Sequence, residues 1–260
     1  MSSILGYREL IWNFIRRDIS SKYAGSLLGL YWSILNPVIT LVVYIVVFGV
    51  FLNVRLPGTT SIWDFALYFA AGFLPWLAFQ DSVTRASRSI IDNKNYIKKV
   101  PFPNEIFPIY TTLSEFVNLL IGLAIYMLLF IFLKGTLSVY ILLLPLAIVL
   151  QMMFTMSLAF FLSSGSVYFR DIPTMLGPLF MIWFWATPIA YTVNLIPANF
   201  QWIVQLNPAY YMLEIYRDAL FYNKLPEAQI LVPFLIFSVV LFAISIWFFR
   251  KSKTGFGELL

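Results

Sequence analysis

Long apolar runs alternate with short charged gaps along the chain. Six runs stand out: Tyr31–Leu52, Ile62–Gln80, Ile106–Leu133, Leu137–Ser163, Pro173–Val193 and Gln229–Phe249. Each holds about the 20 residues needed to cross roughly 30 Å of hydrocarbon. Five of the six carry Asp, Glu, Lys or Arg at their ends at most. A charge at the centre of a spanning helix costs roughly 2.5–3.5 kcal/mol, so this clearing is a strong signal. The runs are continuously apolar and do not alternate, which predicts helices and not a β-barrel. The fold class expected is an all-α integral membrane protein with six transmembrane helices.

Composition agrees with this pattern. With 61% of 260 residues hydrophobic and 11% charged, a soluble domain would lack the polar groups to cover its surface. The distribution of Lys and Arg then orients the spans. With the N-terminus cytoplasmic, the inner segments hold Arg8, Arg16, Arg17, Lys22, Arg85, Arg88, Lys94, Lys98, Lys99, Arg170, Arg250, Lys251 and Lys253. The outer side holds Arg55, Lys134, Arg217 and Lys224. The positive-inside rule selects this orientation, with both termini cytoplasmic. The net charge of +5 is therefore mostly a topology signal. No basic face stands apart from the membrane to bind nucleic acid. A cleavable signal peptide is not expected, because the first apolar run starts near Tyr31 with no small-residue cleavage site behind a short apolar core.

The gaps differ in character. Ile4–Lys22, within a lead-in spanning residues 1–30, reads as an amphipathic helix. Ile4, Leu5, Leu10, Ile11, Trp12, Phe14, Ile15 and Ile19 share a broad arc opposite Glu9, Arg16, Arg17 and Ser20, with Arg8 and Asp18 intruding. Such a helix lies in the inner interface beside anionic head groups. It is either an anchor or a cuff at a pore entrance that meets a lipid phosphate through Arg16, Arg17 or Lys22. Residues 81–105 form the one substantial inner loop. Its five basic residues suit a positive-inside connector or a docking surface, and Pro101 and Pro103 close it. Glu115 is the one ionisable residue well inside a run, a functional signal by default. A shorter span beginning at Ser114 would place it at the interface instead.

The outer connection Asn194–Ala228 is apolar for a loop and punctuated by Pro197, Pro208 and Pro226. Irregular backbone is excluded from lipid, so short re-entrant helices packed on protein are expected between the fifth and sixth spans. These would act as a gate or as an interfacial belt. Aromatic residues number 8 Trp, 15 Tyr and 26 Phe, most of them explicable as anchors or lipid-facing bulk. The cluster Trp183-Phe184-Trp185 with Tyr191 can also offer apolar faces to a repeating sugar polymer, as aromatic platforms do for successive bases.

Several chemistries are excluded. With no Cys or His, disulfides and Ser–His or Cys–His nucleophiles are absent, and a zinc site is disfavoured. No phosphate loop of the G-x-x-x-x-G-K-[ST] type occurs. No Asp-x-Asp pair is present to hold a metal–nucleotide. An enzyme is thus poorly supported, and an ion-coupled carrier finds little intramembrane charge to use.

Six stretches resemble the ABC-2 type permeases that export polysaccharides. They are YAGSLLGLYWSILNPVITLVVYIVVFGVF, AAGFLPWLAF, NKNYIKKVPFPNEIFP, VYFRDI, WATPIAY and LNPAYYMLEIYRDAL, in family order from about Tyr23 to Phe249. The resemblance is closest to the membrane subunit of a lipid-linked O-antigen exporter. It implies a six-helix domain over residues 31–249 with a short inner tail, 250–260. It implies two copies forming a pore, joined by two copies of a cytoplasmic ATPase that holds ATP and Mg, with no cofactor in this chain. The ATPase-coupling residues would be Arg85, Arg88, Asn93, Lys94, Asn95, Tyr96, Lys98 and Lys99, with Tyr168, Arg170 and Asp171 as a second contact. The pore and gate would use Tyr44, Phe48, Trp183, Trp185, Tyr191, Tyr210 and Tyr211. The location implied is the bacterial inner membrane, among its lipids, and the substrate a lipid-linked polysaccharide. A capsule or teichoic-acid exporter, an exporter of small molecules, and an ion-coupled transporter remain as alternatives.

Overall fold

The computed structural model describes residues 6–22, 25–26, 29–57, 61–99 and 103–259. Ile4 and Leu5 of the amphipathic stretch, Tyr23 and Val100-Pro101-Phe102 lie outside them, and so does the side chain of Lys99. The described residues are helical with no strand. A short amphipathic helix, α1 (Arg8–Lys22), comes first. The long apolar helices are α2 (Trp32–Phe51), α3 (Ile62–Asp92), α5 (Ile106–Lys134), α6 (Leu144–Tyr168, entered through a 3₁₀ turn) and α10 (Ala228–Ser252). Shorter pieces are α4 (Lys94–Lys99), α7 (Ile172–Ala186), α8 (Gln201–Gln205), α9 (Pro208–Arg217) and α11 (Phe256–Leu259).

Their boundaries follow local chemistry. Ser61 caps α3 by accepting from Trp63 N at 3.2 Å. Gly135, at φ +87°, ends α5 in a conformation that suits glycine. Asn207 caps α9 at Ala209 N, and Pro208 occupies its first turn. The expected span Pro173–Val193 is corrected: its helix stops at Ala186. Pro188 pushes the preceding Thr187 to extended backbone (φ −104°, ψ 130°), which cannot continue a helix. At 15 residues, α7 is about 22 Å long, short of a full crossing. Five long apolar helices and this shorter sixth therefore make up the membrane domain among the described residues.

The central element is α3. It is buried over most of its length and packs against α5, α6 and α9. Small residues such as Ala66, Ala70, Ala71, Gly72, Ala78 and Ala86 let neighbours approach its backbone, the usual means of association where lipid offers no hydrophobic drive. By contrast, α2 and α10 present apolar side chains outward along most of their length. In α2 the stretch Ile45–Phe51 is wound as a π-helix. Arg55 closes that stretch by donating to Gly49 O at 2.6 Å and Val54 O at 3.0 Å.

The first and last described helices, α1 and α11, lie at one end of the bundle. Phe14 of α1 stacks on Tyr110 of α5, with ring centres 5.0 Å apart. Lys253 pairs with Glu105 at 2.9 Å, and Tyr168 Oη donates to Ser252 O at 2.7 Å. Phe256 is fully buried against Phe249. At the opposite end Lys134 of α5 pairs with Asp64 of α3 at 2.5 Å.

Candidate functional site

At the end shared by the termini, an ion network joins three elements. Asp18 and Lys22, one turn apart on α1, reach across to Arg85 of α3 and Glu115 of α5. Lys22 Nζ donates to both Glu115 oxygens, at 3.1 and 3.2 Å. Arg85 donates through Nη2 to Asp18 Oδ1 at 2.6 Å and through Nη1 to Glu115 Oε1. Asn118 Nδ2 adds a bond of 2.7 Å to the same carboxylate. Glu115 is 1% exposed, and its donors make it the centre of a knot. Asp18, which looked like an intrusion on the apolar arc of α1, is the residue that ties that helix to α3. Lys22, a candidate for a lipid phosphate, is engaged by Glu115.

Beyond this knot lies the basic stretch 81–105, expected as a loop after a span ending at Gln80; instead α3 runs on to Asp92 and α4 takes up Lys94–Lys99. Arg88, Lys94, Asn95, Tyr96 and Lys98 are exposed where α3 gives way to α4, at the end of the bundle that holds α1. Two of their sequence companions are turned elsewhere. Arg85 is bonded to Asp18 and Glu115 as above. Asn93 donates to Ser89 O at 2.8 Å and to Tyr110 Oη at 3.3 Å, which closes the end of α3. Arg17 donates to Tyr96 Oη at 3.0 Å and covers the Phe14 ring at 5.1 Å, so α1 and the loop are braced together. Arg16 is exposed beside it. Arg170 and Asp171 are exposed at the turn after α6, while Tyr168 is bonded to the C-terminal segment.

The aromatic candidates separate into two groups. Tyr44 sits among Phe48, Phe69, Phe73 and Phe184, with ring centres 5.0–5.9 Å away. Phe48 continues to Trp185 at 6.2 Å, and Trp185 is 46% exposed. Tyr191 Oη donates to Trp185 O at 2.5 Å. Tyr44, Phe48, Trp185 and Tyr191 thus form one stripe across α2 and the end of α7. Trp183 faces the other way: it packs on Trp76, Phe79 and Phe180 and donates to Asn207 Oδ1 at 2.8 Å. Tyr211 donates to Gln205 O at 2.7 Å and borders a hollow against Pro233 and Phe237 of α10. Tyr210 lies edge-on to Tyr211. These three hold the outer segment in place and do not extend the stripe.

The segment between α7 and α10, expected to be re-entrant, packs into the protein. Ala209, Met212, Leu213, Ile215 and Tyr216 of α9 are buried, and Arg217 is 0% exposed. Arg217 was counted among the outer charges; it lies inside the protein. Its guanidinium rests 3.9 Å from the Tyr68 ring centre and donates to Pro188 O at 2.8 Å, Ile189 O at 3.0 Å and Glu214 Oε1 at 2.7 Å. The absence of a side chain at Gly72 makes room: an added Cβ would stand 3.0 Å from Arg217 Nη2. One residue on, burial raises the Asp218 carboxyl to about 6, against the opposing pull of Lys224 at 3.6 Å.

Comparison with known proteins sets this arrangement in a family. The ABC-2 type transporter family matches residues 9–221. The chain belongs to that family. Full-length relatives are similar in turn. The O-antigen export system permease protein RfbA of Myxococcus xanthus is 28% identical over 97% of this chain and 95% of its own length. The protein of the same name in Klebsiella pneumoniae is 29% identical over 98% and 97%. The polysialic acid transport protein KpsM of Escherichia coli is 23% identical over 91% of both chains.

As an ABC-2 type transporter subunit, the chain is a multi-pass membrane protein that works with an ATPase partner. The matched region takes in α1, the ion network, the basic loop, the stripe and α9. Sequence reasoning did not find Asp18, Tyr68 and Gly72. Asp18 left a trace, as an intrusion on the apolar arc of α1, and Gly72 as a glycine inside a long helical run.

Proposed function

We propose that this chain is the transmembrane subunit of an ATP-driven exporter that moves a lipid-linked polysaccharide of the O-antigen type across the inner membrane. The observation that carries the proposal is the likeness to O-antigen export permeases over nearly the whole chain. The end holding both termini is then cytoplasmic, as the positive-inside rule requires. Two copies enclose the path, and two ATPase subunits bind ATP and Mg beneath them. The aromatic stripe supports this reading. It lies on α2 and α7, whose apolar surfaces are mostly left open by this chain, so a second copy can complete a wall of rings. Rings give successive sugars apolar faces with little preference for any one unit. The exposed residues Arg88 of α3 and Lys94, Asn95, Tyr96 and Lys98 of α4 meet the ATPase. Its movement reaches α1 through Tyr96–Arg17 and the bundle through α3.

The test is ATP hydrolysis by the chain purified with its ATPase, with and without lipid-linked glycan. A stable two-plus-two complex stimulated by glycan is expected. A complex that ignores glycans and responds to small amphiphiles would transfer the proposal to small-molecule export. Absence of any ATPase association would remove the docking role of the loop. A capsule polysaccharide is the second reading, favoured by the likeness to the polysialic acid transport protein. Stimulation by the capsule glycan and not by the O-antigen type would select it.

A further inference from the structure

Beside the ion network lies a cavity of about 350 Å³ whose charges do not balance. It is walled by Lys22 of α1, Asn36 and Thr40 of α2, Asp81 of α3, and Glu115 and Asn118 of α5. Among the described residues, the charged groups facing it, with those bonded to them, are three carboxylates (Asp18, Asp81, Glu115) and two cations (Lys22, Arg85). Both cations are held by Glu115 and Asp18. Asp81 makes no hydrogen bond or ion pair among the described residues, and it is accessible from the cavity. The site therefore repels a further anion and lacks one positive charge.

Its surroundings narrow the class of ligand. Pro37 and Leu74 border both this cavity and a shallow apolar slot that continues past Val38, Leu41, Gly122 and Leu129. Along α3 the polar part lies towards the terminus-bearing end and the slot towards the bundle centre, since Leu74 precedes Asp81 by about 10 Å of helix rise. Polarity thus falls with depth as it does along a lipid, from head group to acyl chain. Polar groups such as Asn118, partly buried, and Asn36 are unusual on spanning helices and mark a site that holds a polar occupant.

We propose that this cavity binds a zwitterionic phospholipid with a primary amine, its ammonium on Asp81 and its phosphate within reach of Lys22. The amine supplies the missing charge and three donors. The phosphate brings its own negative charge, which the amine neutralises, so the head group enters with no net charge. A lipid-linked pyrophosphate or an anionic phospholipid would set its phosphate beside three carboxylates. The first acyl carbons lie in the slot between α2 and α5. The bound lipid then fastens α2, the helix least packed on its own chain, to α3 and α5.

The experiment is native mass spectrometry of the full chain with its ATPase, after incorporation in mixed bilayers of phosphatidylethanolamine, phosphatidylglycerol and phosphatidylcholine. Retention of phosphatidylethanolamine about tenfold above phosphatidylglycerol is expected, the ratio given by one charge-assisted hydrogen-bonded contact. Phosphatidylcholine, whose quaternary amine cannot donate, should be retained less than phosphatidylethanolamine. Asp81→Asn should bring the ethanolamine-to-glycerol ratio to about one with the melting temperature unchanged. Asn36→Leu, at an exposed position of α2, fills the polar wall and should lower retention of the lipid by a similar factor, whether or not the Asp81 variant folds. Preference for phosphatidylglycerol, equal retention of all three lipids, or an undiminished preference in both variants would overturn the assignment. Displacement by a lipid pyrophosphate in preference to the zwitterion would also overturn it and make the cavity a substrate port.

Discussion

Arg217→Met is the most informative single change. The side chain it replaces is fully buried, with two carbonyl acceptors on the Pro188–Ile189 turn, the Glu214 carboxylate at 2.7 Å and the Tyr68 face at 3.9 Å. Methionine fills similar length without charge. It removes the desolvated cation but leaves Glu214 and two turn carbonyls short of a donor. Truncating one partner of a buried charge pair costs about 3–5 kcal/mol. At roughly 2–4 °C per kcal/mol for a chain of this size, the melting temperature should fall by roughly 6–20 °C. Tryptophan fluorescence on heating in detergent reads this directly. Arg217→Lys keeps the charge but loses the planar fork, so it should recover less than half of the loss. Gly72→Ala supplies a second handle. Its Cβ would press on the guanidinium and cost about 1–3 kcal/mol in the native background. With Met at 217 that penalty should shrink, because the crowded atoms are gone, giving clear non-additivity. A fall of less than about 2 °C for Arg217→Met, or a lysine variant as stable as the native chain, would refute the pin.

Other expectations follow from the same geometry. Glu115→Gln strands Lys22 and Arg85 beside one another and should destabilise by about 3 kcal/mol, with Lys22→Met in the same chain restoring part of it in a melting cycle. Reversal of Lys94 and Lys98 to Glu should lower co-purification of the ATPase several-fold with the melting temperature held; unchanged recovery would exclude this surface from docking. Trp185→Ala should reduce glycan-stimulated ATP hydrolysis without loss of stability. Trp183→Phe should cost about 1–3 kcal/mol, through the lost bond to Asn207, before any effect on transport. Asp218 titrates higher folded than unfolded, so its penalty is absent below pH 3.8 and grows as pH rises through about 6. Asp218→Asn should therefore flatten the fall in stability across that interval, as equilibrium unfolding at a series of pH values will record.

The apolar runs are properties of neighbouring residues, which is why the long helices and most of their ends could be read from the chain. The partners of Glu115 could not. Lys22 stands 93 residues away and Arg85 30, and no local pattern records that α1, α3 and α5 converge. The aromatic candidates failed in a related way. Trp183 and Trp185 are two residues apart on α7, so they point to nearly opposite sides, one to Asn207 and the other to the stripe. A helix apolar all round gives no sign of which side faces protein. The fifth span was overestimated because hydropathy continues through Thr187–Val193, although Pro188 had already ended the helix.

The position of Arg217 bears on how the protein is made. Gly72, against which it rests, lies about 15 Å along α3 from its start. An arginine at the centre of a spanning segment would cost roughly 2.5–3.5 kcal/mol in bare lipid. Inside the assembled bundle, Tyr68 and the turn carbonyls already wait for it. Every one of these partners precedes residue 217 in the chain, so the pocket that receives the arginine is complete in sequence before the last spanning helix is made.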